Sequence, residues 1–116
     1  MMARVISIHE YDLAPGVRPA DFEQAVADAR RQGLFDLPGL REYHFLRGLK
    51  GARPGCYTAI WIYDSRAAWE ALWGPLSAPN GPEDYPQSWK IWENTILAPL
   101  LAQHPDTIRF TSYEEV

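Results

Sequence analysis

A chain of 116 residues is the length of one domain, too short for a nucleotide-binding domain plus a separate substrate domain. Hydrophobic residues make up 47% of it and charged residues 22%, which excludes the apolar-poor, charge-rich range where chains stay disordered. The net charge of -4 argues against nucleic acid, whose binding draws on clustered lysines and arginines.

The single cysteine, Cys56, cannot close an intramolecular disulfide or build a thiolate cluster. No secretory apolar segment follows Met1, and no apolar run approaches the ~20 residues that cross a bilayer. The expectation is one cytoplasmic domain over 1–116, with no membrane partner.

From Arg4 to Leu13 the chain alternates with β-branched and aromatic residues, which predicts a strand ended by Pro15-Gly16. Pro19, Asp21 and Glu23 suit a helix N-terminus, Phe22, Ala25, Val26 and Ala29 form one stripe, and Arg30-Arg31 before Gly33 signals its end. Leu40–Arg47 and Cys56–Asp64 alternate again around a Gly- and Pro-rich stretch, which predicts an antiparallel hairpin. Asp64-Ser65 offers cap oxygens to a helix with a stripe of Trp69, Leu72, Trp73 and Leu76, kinked or ended at Pro75.

Residues 77–87 read as a loop, with three prolines, a glycine and an Asn-Gly step. A further helical run from Ser88 places Trp89, Trp92, Ile96 and Leu100 on one stripe, and Ile108–Val116 reads as a last strand. The order βαββαβ predicts an α+β, ferredoxin-like domain with a four-stranded antiparallel sheet and helices on one face.

Neither sheet face reads as hydrophilic. Alternation gives one face Ile6, Ile8, His44, Leu46, Ile60, Ile62, Ile108 and Phe110, and the other Val5, His9, Tyr11, Tyr43, Phe45, Tyr57, Trp61, Tyr63 and Tyr113. Two apolar faces predict that a second copy covers one of them, as a homodimer stacked sheet on sheet.

With Pro38-Gly39-Leu40 opening the second strand, Tyr63-Asp64-Ser65 closing the third and Trp69 on the next helix, nearly the whole chain resembles the dimeric α/β-barrel superfamily. Within it, the layout is similar to the antibiotic biosynthesis monooxygenase-like domains and their haem-degrading relatives. The resemblance places His9 at a first-strand position that is polar in the family and faces a pocket between sheet and helices. Haem-binding relatives carry a histidine on the second helix, whereas this chain has none from Trp69 to Pro79, so haem is disfavoured.

The resemblance implies oxygenation without metal, flavin or nicotinamide, in which an electron-rich phenol or anthrone supplies the electrons and the protein desolvates it and takes a proton. No cofactor or metal site is expected. His9 is the candidate base, because a neutral imidazole accepts protons near pH ~6.5. Tyr63 is a second catalytic candidate, bonding the substrate oxygen. Tyr43, Trp61, Trp69, Trp73 and Trp92 are candidate walls for a small apolar or aromatic ligand.

The same residues also admit a core made of aromatic rings, and with it a non-catalytic ligand-binding or stress-type dimeric barrel. His44 and His104 are read as structural. No GxSxG, GxGxxG, Walker or HExxH pattern offers other chemistry.

Overall fold

The computed structural model of the protein describes residues 3–116. Four strands, β1 (Val5–Tyr11), β2 (Leu40–Arg47), β3 (Tyr57–Tyr63) and β4 (Phe110–Glu114), form one antiparallel sheet in the order β2-β3-β1-β4. This is the expected ferredoxin-like α+β architecture.

Helix α1 (Pro19–Arg31) starts where the Asp21 carboxylate accepts the Arg18 backbone N–H at 3.0 Å and pairs with its guanidinium. It ends in a left-handed Gly33, with Leu34 N–H reaching the Ala29 carbonyl and Gly33 N–H the Arg30 carbonyl, as a Schellman cap requires. Helix α2 (Arg66–Trp73) is capped by the Ser65 hydroxyl, which accepts the Ala68 N–H at 3.1 Å. It stops at Gly74, whose φ of 87° no L side chain adopts easily, so Leu76 lies beyond the helix and is exposed instead of joining the Trp69–Leu72–Trp73 stripe.

The third helical run departs most from expectation. After a single α-turn, α3 (Gln87–Lys90), residues Ile91–Leu97 form a π-helix and Ala98–Leu100 a 3₁₀ turn. Pro99 has no N–H to give the carbonyl four residues back, and its ring collides with that carbonyl. The ladder widens just before it: Ala98 N–H bonds the Glu93 carbonyl, five residues away. Its fully buried residues are Trp92, Glu93 and Leu97, while the predicted Ile96 and Leu100 pack against the same core only partly buried.

Strand register fixes the two sheet faces. Val5, Ser7, His9 and Tyr11 stand opposite Tyr63, Trp61, Ala59 and Tyr57, and this side carries the helices. On β4 the expected parity is inverted. Phe110 lies opposite His9 on the helix side, and Tyr113 lies opposite Ile6 on the other. Ile108 likewise packs against the core. On the outer face Ile6, Ile8 and Ile60 lie outside the core cluster, flanked by Leu46 and Tyr113, 44% and 54% exposed.

Gly39 ties the sheet to α2. It has a φ of 83°, and a Cβ there would stand 2.7 Å from the Ala68 Cβ. Gly39→Ala is therefore expected to cost about 2–4 kcal/mol of unfolding free energy, combining backbone strain with overpacking. Gly16→Ala, at φ 86° with nothing within 4 Å, is expected to cost only about 1 kcal/mol. Equal losses in urea denaturation would remove the packing half of this account.

Candidate functional site

The helix side of the sheet gathers most of the predicted site residues around Trp61, which has no exposed surface. Its ring meets those of Tyr43 at 5.6 Å, Trp89 at 4.9 Å and His9 at 6.0 Å. Trp92, equally buried, joins through Phe35 and Phe45 at 5.0 and 5.7 Å. Trp73 packs on Trp89 at 5.3 Å and donates its indole N–H to the Tyr63 hydroxyl at 3.2 Å. Trp69 is half-buried against the same core from α2.

The two predicted catalytic groups do not stand side by side. Tyr63 pairs with Val5, four residues from His9 along β1, which is roughly 13 Å of strand. Trp73 and Trp89 bridge the interval.

His9 has aromatic neighbours on several elements: Phe110 at 5.7 Å, Trp61 at 6.0 Å, Trp89 at 6.1 Å and Tyr11 at 6.4 Å. Its Nδ1 is buried with no hydrogen-bond partner in the protein. Burial lowers its pKa to about 4, so the imidazole is neutral at pH 7. As a base it is always available but weak, since proton acceptors work best with a pKa near the working pH.

A better-matched acceptor lies on the π-helix. Glu93 is 7% exposed, and its pKa is raised to about 7, first by burial and then by the charge of Asp106, against a lowering by the Trp89 indole N–H. The Tyr11 phenol is buried nearby and is pushed well above the tyrosine range, by burial first and Glu93 next. The Trp61 and Trp92 indole N–H groups face that phenol and lower its pKa, yet neither they nor the hydroxyl reach hydrogen-bond geometry. Tyr63 is also raised, by burial, so its hydroxyl stays protonated. A native core rarely leaves several buried polar groups unpaired, each at a cost of about 1–3 kcal/mol.

Glu93 and Tyr11 were not singled out as site residues by sequence. One signal was present: Trp89, Glu93 and Leu97 are spaced four apart, an acid inside an apolar helical repeat. The other histidines stand apart. His44 is exposed on the outer face, 3.8 Å from Glu42, and the His104 ring caps the turn at Pro105–Thr107 by accepting the Asp106 N–H at 3.1 Å. Among the described residues no group of three metal-ligating side chains converges.

Two surface clefts lie elsewhere. One of about 630 Å³ runs between Asp12 and Thr107, and one of about 400 Å³ opens between α1 and the ends of β2 and β3.

No family model matches the chain, and no curated protein matches it. Solved structures share its fold. A candidate antibiotic biosynthesis monooxygenase from Bordetella bronchiseptica superposes with a TM-score of 0.67 at 18% identity, over 99% of both chains. SnoaB, a cofactor-independent oxygenase from Streptomyces nogalater, matches at 0.59 and 16%, covering 96% of this chain and 91% of that one. A dimeric ferredoxin-like protein of unknown function from Jannaschia sp. CCS1 matches at 0.65 and 13%, over 96% and 98%. The chain thus has the ferredoxin-like fold that these structures share.

Burial favours the neutral form of both Glu93 and His9, with opposite consequences for stability. Glu93 contributes stability that is present below its unfolded pKa of 4.5 and lost as pH rises to about 7. His9 contributes stability present above 6.5 and lost as pH falls to about 4. Each slope reaches up to about 1.4 kcal/mol per pH unit, and between 4.5 and 6.5 they oppose one another. In urea unfolding across this window, Glu93→Gln is expected to gain stability relative to wild type as pH rises, and His9→Asn to lose it. Profiles parallel to wild type would contradict the burial assigned to these groups.

Proposed function

We propose that this protein is a cofactor-independent oxygenase of the antibiotic biosynthesis monooxygenase-like kind, acting on a small electron-rich aromatic or polyketide-like substrate. The observation that carries the reading is the buried Glu93 carboxyl beside the Tyr11 phenol, within a shell of Trp61, Trp89 and Trp92 next to His9. The fold shared with SnoaB supports it.

In this reading a planar substrate enters past Phe110, 58% exposed and 5.7 Å from the His9 ring. Glu93 takes a proton from it, because a carboxylate raised to about 7 is both ionised and basic at neutral pH. His9 accepts a hydrogen bond from a substrate hydroxyl at its free Nδ1. Tyr63, roughly 13 Å along the sheet with Trp73 and Trp89 between, stays outside this group and holds Trp73 in place by accepting its indole N–H, while Tyr43, Trp61, Trp69, Trp73 and Trp92 supply or back the apolar walls. For an anthrone, the carbanion delivers electrons to dioxygen. One oxygen atom becomes the new carbonyl, and the other leaves as water with both methylene hydrogens.

The working unit in this reading is a homodimer closed through the outer sheet face, supported by the apolar Ile6, Ile8 and Ile60 and by relatives in fold described as dimeric. Light scattering would then return twice the chain mass, and a monomer would exclude it. A second reading, non-catalytic binding or a stress-type barrel, is favoured by the full burial of Trp61 and Trp92, whose rings occupy the interior themselves.

One experiment separates the readings: oxygen uptake with 1,8-dihydroxyanthrone under air. The expected result is one dioxygen consumed per anthrone, with Glu93→Gln slower by about a hundredfold, the usual size of a lost proton acceptor. Anthrone recovered unaltered would favour the non-catalytic reading, and full activity in Glu93→Gln would remove Glu93 from the mechanism.

A further inference from the structure

The sheet ends in two edge strands, β2 and β4, and they are guarded differently. Along β2 charged side chains recur at Arg41, Glu42 and Arg47, and its register with β3 slips between Leu40 and Glu42. Charge and irregularity of this kind keep an edge from pairing with another chain. On β4 both are missing. Its register with β1 runs without a shift, its one charged residue is the last, Glu114, and two large rings stand exposed on its opposite faces, Phe110 at 58% and Tyr113 at 54%.

Two hydrogen bonds set the direction of its backbone groups. The Arg109 carbonyl accepts the Glu10 N–H and the Glu115 N–H reaches the Arg4 carbonyl, each at 2.9 Å, so the odd-numbered residues face β1. In an antiparallel ladder the alternate residues then turn their N–H and C=O outward. Those are Phe110, Ser112 and Glu114, on the free side of the sheet.

This edge is complementary to itself. Laid antiparallel against a second copy about a two-fold axis at Ser112, it sets Ser112 opposite the partner's Ser112 and Phe110 opposite the partner's Glu114, pairs that exchange two bonds each. Between them Thr111 faces the partner's Tyr113, a β-branched residue against a ring. Arg109, which has no carboxylate within ion-pair distance among the described residues, faces the partner's Glu115. The Glu115 carboxylate is already oriented by Arg4 at 2.8 Å. Moving the axis to Thr111 or to Tyr113 loses this pairing of opposite charges.

We infer that the free edge of β4 pairs with β4 of a second copy, antiparallel about Ser112, joining two four-stranded sheets into one. The axis stands perpendicular to the sheet, so the helices of both copies share one side and both outer faces stay uncovered. The contact is therefore distinct from the face-to-face homodimer, and it depends neither on that dimer nor on the oxygenase reading.

A ladder this short forms at high protein concentration. In light scattering the mass of the full-length protein is expected to rise twofold between about 10 µM and about 1 mM. Ser112→Pro is expected to abolish the rise at an unchanged circular dichroism spectrum, because an edge strand accepts proline where the N–H points outward. Arg109→Glu, which sets like charges opposite each other, is expected to move the rise to about tenfold higher concentration. The amides of Phe110, Ser112 and Glu114 are expected to exchange hydrogen more slowly in the concentrated sample. A mass that stays constant, including a constant two-chain mass from face stacking alone, would overturn the inference. So would a rise untouched by Ser112→Pro or by Arg109→Glu, or equal exchange of the three amides at both concentrations.

Discussion

The burial of one indole, Trp61, in the middle of β3 is the constraint from which the upper layer of this molecule follows. The ring has no exposed surface and projects from the helix side of an interior strand, so neighbouring strands and the layer above the sheet must close over it. Edge strand β2 supplies Tyr43 and Phe45, the segment after α1 supplies Phe35, β1 supplies His9, and α3 supplies Trp89. Edge-to-face contacts dominate, the geometry that aromatic quadrupoles favour, and each fixes the angle of a neighbour as well as its distance. An apolar shell built this way withholds water from any polar group that the chain carries into it.

Of the titratable groups carried in, His9 and Glu93 report that desolvation in opposite directions. His9 enters because β1 alternates, and its odd-numbered positions face the helices. Glu93 enters because a π-helix widens the turns ahead of Pro99, pairing Trp92 with Leu97 on the inner side and bringing the acid with them. The result is a base that is uncharged at neutral pH and an acid poised to change charge there, each in contact with Trp89. Titratable groups pushed apart by a shared environment mark sites of proton chemistry. That physical pattern supports the functional reading on its own, apart from the likeness of fold.

Most of the architecture was legible because it rests on local patterns: alternation gave β1, β2 and β3, the Ser65 cap gave α2, and Arg30-Arg31 before Gly33 gave the end of α1. What escaped is non-local. On β4 alternation alone puts Phe110 and Tyr113 on opposite faces, but which of them faces the helices depends on pairing with β1, a hundred residues away, and a one-residue slip inverts every side chain. The aromatic wall was legible as a composition, and Tyr43, Trp61, Trp73 and Trp92 do converge. Glu93 was less so, because an acid four residues from both Trp89 and Leu97 reads by residue type as a solvated position, and its burial depends on the π-helix ahead of Pro99. The contact of Tyr11 with both indoles likewise exists only in three dimensions.

The account stands on the claim that this aromatic shell desolvates Glu93. Carbon-13 labelling of glutamate, with the Glu93 side-chain carboxyl resonance followed from pH 4 to 9, reads its protonation directly. A midpoint close to the expected value of about 7 is the predicted result. A midpoint near the ordinary glutamate value of about 4.3 would mean that water reaches the carboxyl, and the site would lose its proton acceptor.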